Sequence, residues 1–95
     1  MEFLREDHAI VVRNDKGQMI AENTYRDTDD PKVVAADHTY TSDSLRGQGV
    51  ASQLLDELIQ DMKAQGKKIY PICPYVVKKF DDEPVKYADI DARKA

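Results

Sequence analysis

One segment of the chain has a period that only a helix satisfies. Val50, Leu54, Leu58 and Met62 recur every four residues, and Ala51, Leu55 and Ile59 form the adjoining row. That spacing gathers all seven onto one broad apolar stripe of an α-helix. Asp56, Glu57, Gln60, Asp61 and Lys63 take the other face. Gly66 follows the last apolar turn as a natural C-cap, so the helix is expected over 50–65. A helix with one apolar face must bury it against another element.

The flanking segments supply that element. His8 to Arg13 is rich in β-branched residues, Asn14-Asp15-Lys16-Gly17 is a turn cluster, and Gln18 to Arg26 continues as a second strand. Asp27 to Pro31 breaks the pattern, and Lys32 to Thr41 reads as a third strand with a more polar second half. Ser42 to Gly49 is a polar loop before the helix. Lys67 to Cys73 reads as a last strand, with Pro71 interrupting its hydrogen bonding on one side. Pro74 suits the first position of a second helix running through Tyr75, Val76, Val77 and Phe80, which Asp81 to Pro84 ends. The charged tail is expected to be flexible over about 88–95 and partly ordered around Tyr87 and Ile90.

The expected class is α/β (α+β). An antiparallel N-terminal hairpin and return strand lead into a strand–helix–strand crossover that joins two parallel strands. At 95 residues the chain is one domain, 1–95, with one modest core. There is no room for separate cofactor and substrate domains.

Charge and cysteine count narrow the partners. With 18 acidic and 14 basic residues the net charge is −4, which disfavours a nucleic-acid partner because no basic field would meet the phosphates. One Cys means no internal disulfide and fits a reducing, cytoplasmic setting. The charged start Met1 to Asp7 lacks the apolar core of a signal peptide, and the apolar runs are too short to span a membrane. A soluble protein, monomer or weak dimer, is expected.

The glycine loop is the candidate site. It lies where a strand ends and a helix begins, where free backbone N–H groups and the helix dipole attract an anion. Gly47 and Gly49 let a large anion approach the backbone, and Arg46 adds a positive charge. A phosphate or pyrophosphate fits; so does a plain tight turn before a helix. Two nucleotide motifs fail on residue identity. No Lys-Ser or Lys-Thr follows Gly49, as a P-loop needs. Ser52 stands where a dinucleotide fingerprint needs its third glycine, and the acidic ribose reader is missing.

Arg46-Gly47-Gln48-Gly49-Val50-Ala51 resembles the [RQ]-x-x-G-x-[GA] signature of the GNAT N-acetyltransferase superfamily. His38-Thr39-Tyr40-Thr41 before it and Pro71-Ile72-Cys73-Pro74-Tyr75 after it extend the resemblance to very small, single-domain GNAT-like proteins. It runs from about Phe3 to Tyr87.

The resemblance implies acetyl-CoA as co-substrate and no metal. The loop's backbone amides would bind the pyrophosphate. Pantetheine would lie where the strands His38–Thr41 and Ile69–Cys73 splay apart. The implied cofactor-binding residues are Thr39, Tyr40, Thr41, Leu45, Arg46, Gly47, Gln48, Gly49, Val50, Ala51, Cys73 and Tyr75. The implied catalytic residues are His38 and Cys73, both at the splay. His38 is the candidate base for the acceptor amine. Cys73 is the candidate acid to the leaving thiolate, or a transient acyl carrier. Direct attack in a ternary complex is the favoured route.

Plainer roles stand beside these. Cys73 fits a small buried apolar side chain, His38 a hydrogen-bonded strand residue, and His8 a strand edge. His8, His38, Asp37 and Cys73 include no close ligand pair for a metal. The acceptor is an amine of unknown identity, small molecule or protein. Asp27, Asp29, Asp30, Asp37 and Asp43 near the open side would favour a cationic one. Little chain is left for an acceptor wall, which falls to the hairpin 8–26 and the loop 27–31. A non-catalytic CoA-binding or protein-interaction module on the same fold is the alternative.

Overall fold

The computed structural model describes residues 1–94. Five strands form one sheet in sequence order: β1 (Leu4–Glu6), β2 (Ala9–Arg13), β3 (Met19–Asp27), β4 (Val33–Thr41) and β5 (Lys68–Pro71). The first three pairings are antiparallel, and β4–β5 is parallel. Helix α1 (Val50–Ala64) makes the crossover between β4 and β5, and α2 (Pro74–Asp82) follows. The expected mixed sheet with two helices is the architecture found.

Local chemistry explains the elements. At the β2–β3 turn, Asn14 Oδ1 accepts from the backbone N–H groups of Lys16 and Gln18, and Gly17 takes φ +78°. The apolar stripe of α1 is buried through Val50, Leu54, Leu55, Leu58, Ile59 and Met62. It packs with Ile10, Val12, Ala21, Val34, Ala36 and Ile69, and Val76 and Phe80 of α2 join the same cluster. Both helices therefore cover one face of the sheet. Leu54 and Leu58 are fully buried.

Three differences from the sequence reading have physical causes. The first strand, β1, was not expected, because Leu4-Arg5-Glu6 is short and charged. It is held by tertiary pairing: the Arg5 guanidinium binds Asp61 at 3.0 Å and Glu57 at 3.1 Å on α1. His8 is not in a strand. It forms the β1–β2 turn at φ +54°, and β2 begins at Ala9. The tail expected to be flexible is tied down through Lys94; Ala95 lies outside the described residues. Tyr87 packs its ring on Phe80 at 4.8 Å, and Ile90 and Asp91 are buried. Ile69 N–H donates to Ile90, and Ala92 N–H donates to Ile69, so the tail adds a parallel bridge to the free edge of β5.

Two irregularities shape the region beside the helices. Thr24 pairs with His38 and Tyr25 with Ala36, so Asp37 is an extra residue in β4, a β-bulge. The β4–β5 ladder stops at Ala36–Pro71. Pro71 has no N–H to continue it. The N–H groups of Ile72 and Cys73 both turn to the Ala36 carbonyl, at 3.0 and 2.9 Å. From Asp37 to Thr41, β4 pairs with β3 alone, and a gap opens between the two parallel strands.

Candidate acyl-cofactor site

The gap leads to a cleft of about 430 Å³. Thr39 and Thr41 of β4 form one wall. Leu45, Arg46, Gly47 and Gly49 of the loop, with Val50, Ala51 and Ser52 of the first turn of α1, form another. Tyr75, from the start of α2, closes the side.

The loop is folded by its own hydrogen bonds. Ser42 Oγ accepts from the Ser44 N–H, Leu45 N–H donates to Ser42, and Asp43–Leu45 makes one 3-10 turn. Gly47 and Gly49 adopt φ +82° and +74°, where L side chains are strained, and a Cβ at either would project into open space. Gly49 is the N-cap of α1, and its carbonyl accepts from Gln53 N–H. Among the described residues no protein acceptor meets the N–H groups of Gly49, Val50, Ala51 or Ser52. A helix start with four free donors carries roughly half a positive charge, without a side chain to occupy it. Arg46 adds a full charge at the mouth, where it pairs with Asp43 at 3.0 Å. This donor set fits a diphosphate.

The cleft holds most of the residues expected there. Thr39, Thr41, Leu45, Arg46, Gly47, Gly49, Val50, Ala51 and Tyr75 line it. Ser52 was missed, although it belongs to the same helical turn. Gln48 does not line the cleft; its side chain donates back to the Ser44 carbonyl at 3.1 Å. Cys73 is buried just behind it as the N-cap of α2, with Sγ 3.4 Å from Thr39 Oγ1.

His38 and Tyr40 are elsewhere. Side chains alternate along a strand, so with Thr39 and Thr41 on the cleft side these two point to the opposite face. His38 Nε2 lies 3.7 Å from Glu22 Oε2, and both His38 and Tyr40 are exposed. Cys73 and His38 are therefore brought to the same gap but on opposite faces of the sheet. Glu22 was missed, because only the β3–β4 register places it there. Asp27, Asp29 and Asp30 do not flank the gap. Asp27 pairs with Val34, near the start of β4, and the other two lie in the turn before it. The loop 27–31 thus stands away from the gap, while Glu22 of the hairpin 8–26 lies beside it.

A family model for GCN5-related N-acetyl-transferases matches residues 9–90. The chain belongs to that family. A GCN5-like protein from Staphylococcus aureus, solved by NMR, is 29% identical and superposes with a TM-score of 0.74 over 95% of this chain and 86% of its own. An acetyltransferase from Bacillus cereus is 27% identical, with a TM-score of 0.60 over 75% of this chain and 54% of its own. The GNAT family N-acetyltransferase YhbS from Escherichia coli, in complex with CoA, shares the fold at 23% identity and a TM-score of 0.62, over 76% of this chain and 43% of its own. The chain thus spans about half the length of these two larger relatives. No curated protein matches the sequence significantly. The described residues of this GCN5-related domain comprise the sheet and two helices, with the gap between β4 and β5 and the glycine loop beside it. No helix is long and apolar enough to cross a membrane among the described residues.

Proposed function

We propose that the protein transfers an acetyl group from acetyl-CoA to an amine by direct attack in a ternary complex. The observation that carries this reading is the first turn of α1. Its four free N–H groups and two left-handed glycines stand at the end of a gap between parallel strands. Membership of the GCN5-related family and the CoA-bound relative support it.

In this reading the amides of Gly49 to Ser52 and Arg46 bind the pyrophosphate. The pantetheine arm runs along Thr39 and Thr41 into the gap. A backbone N–H of β4 polarises the thioester carbonyl. The neutral amine attacks that carbon, the C–S bond of the tetrahedral adduct breaks, and the amide product forms. His38 accepts the proton the amine loses, from the bare face. The Cys73 thiol, on the other side of the gap, supplies a proton to the departing CoA thiolate. A reducing, cytoplasmic setting fits its single free thiol.

One observation favours a second reading. Among the described residues no element covers the face over His38, so the fold also suits a CoA-binding module without turnover. Two measurements separate the readings. Calorimetric titration with acetyl-CoA gives a saturable, salt-sensitive site in both. Thiol release with a panel of amines occurs only in the first. Lack of binding at millimolar acetyl-CoA overturns both, and unchanged turnover in both Cys73→Ala and His38→Ala overturns the assigned roles.

A further inference from the structure

A polar side chain is buried beneath the first half of α1. Asn23 of β3 stands level with Ile10 of β2 and Thr39 of β4, and it is 3% exposed. Its Nδ2 donates to the Leu54 carbonyl of α1 at 2.9 Å. Its Oδ1 is buried and meets no partner among the described residues.

The helix itself does not need this bond. Leu54 lies inside α1, where its carbonyl accepts from the Leu58 N–H in the regular ladder. An amide carries two N–H donors and a carbonyl oxygen with two lone pairs, and leaving part of that set unmet in a core lowers stability. An apolar side chain of the same shape would leave nothing unmet. Asn23 therefore costs the fold stability, and what it gives in return is placement. A hydrogen bond fixes direction and distance, whereas apolar contact is non-directional and lets a helix slide.

The placement concerns the cleft. Thr39, level with Asn23, belongs to the β4 wall. Leu54 comes one turn after Val50, and Val50, Ala51 and Ser52 form the wall opposite. The Asn23–Leu54 bond thus joins the sheet beside one wall to the helix that carries the other. Asn23 itself does not line the cleft.

We propose that Asn23 is a positioning residue for the cofactor. Through Leu54 it sets the separation of the donor turn of α1 from the β4 wall, so that diphosphate and pantetheine meet their walls together. The proposal rests on the acetyl-CoA reading of the cleft and adds to it a residue that acts through the helix.

The test pairs two ligands with two variants of the full chain. Acetyl-CoA must reach both walls, and inorganic pyrophosphate needs only the helix start. Asn23→Leu keeps the branched shape of the side chain, and Asn23→Val is smaller and suits a strand; neither donates a hydrogen bond. NMR titration gives the affinities, and urea unfolding gives the stability. Acetyl-CoA should bind either variant about tenfold more weakly, the scale of one lost buried hydrogen bond, with pyrophosphate binding unchanged. The urea midpoint of Asn23→Leu should equal or exceed that of the native chain. Unchanged acetyl-CoA affinity would overturn the proposal. So would equal losses for both ligands, a lower urea midpoint for Asn23→Leu, or failure of both variants to fold, because each makes Asn23 a core residue and nothing more. Native binding of acetyl-CoA without any of pyrophosphate also overturns it, since the two walls then do not act separately. A native chain that binds no acetyl-CoA sinks the cofactor reading together with this one. Native binding that both variants retain in full sinks the role of Asn23 alone.

Discussion

The Sγ of Cys73 lies 3.4 Å from the Oγ1 of Thr39, across the gap where β4 and β5 have stopped pairing. One residue starts α2 and the other lines the cleft, so this contact joins the last helix to the wall along which a pantetheine arm would run. If Cys73 protonates the leaving thiolate, Cys73→Ala should lower thiol release by about 100-fold, the usual scale of a general acid. Acetyl-CoA affinity should change little, because Cys73 does not line the cleft. Comparing steady-state thiol release with calorimetric affinity checks the split. Equal losses in both would make the role structural.

Ala51→Glu should move binding and stability in opposite directions. Ala51 is in the first turn of α1, which has no acidic residue, and it lines the cleft. A carboxylate there favours the helix by about 0.3–1 kcal/mol through the macrodipole. The same charge repels a diphosphate, so acetyl-CoA affinity should drop about tenfold or more. Thermal melting and calorimetry on the same sample test this. By contrast, Gly49→Val confuses the two effects, since φ +74° strains any L side chain.

His8 should make stability fall as pH rises. Its Nδ1 is 2.6 Å from Asp7 and its Nε2 3.2 Å from Asp27, and these carboxylates, Asp7 first, raise its pKa above the ordinary 6.5. Its ring also lies 5.3 Å from that of Tyr25. A raised folded value means the stabilisation is full below pH 6.5 and is lost as pH rises through the folded pKa. His8→Asn tolerates the left-handed turn and cannot titrate. The urea midpoint of the native chain should exceed that of the variant at pH 5 to 6 by more than it does at pH 8. A constant difference across this range refutes the assignment.

The buried Asp91, paired with the more exposed Arg93 in the tail, should respond to acid. Burial pushes the Asp91 carboxyl up, but hydrogen bonds from the Arg93 backbone and guanidinium outweigh it and hold the pKa below 3.8. This stabilisation is present above pH 3.8 and is lost as pH falls through the depressed value. Arg93→Ala leaves a 1% exposed carboxylate without its cation and should cost about 3 kcal/mol at neutral pH. Denaturant unfolding measures it, and a loss below about 1 kcal/mol would show that the tail contributes little.

Much of the candidate site was legible because its signals are local. The left-handed glycines, the period of α1, Pro71 as the end of a ladder and Pro74 as the start of a helix each depend on a few neighbouring residues. The residues that escaped depend on partners far along the chain. Arg5 is ordered by Glu57 and Asp61, and Glu22 meets His38 only through the β3–β4 register. Asp91 looks like any tail carboxylate until Arg93 and the edge of β5 enclose it.

The amino-acid sequence by itself determined the order of elements from β2 to α2, the apolar face of α1 and the glycine-bearing start of that helix, because periodicity and backbone freedom are properties of short segments. Only the tertiary structure decided which side of the sheet each functional group faces. The bulge at Asp37 adds one residue to β4, and strand side chains alternate with a period of two. Pairing across three strands therefore put Thr39 on the cleft wall and His38 on the bare face, one peptide apart in sequence and on opposite sides of the gap.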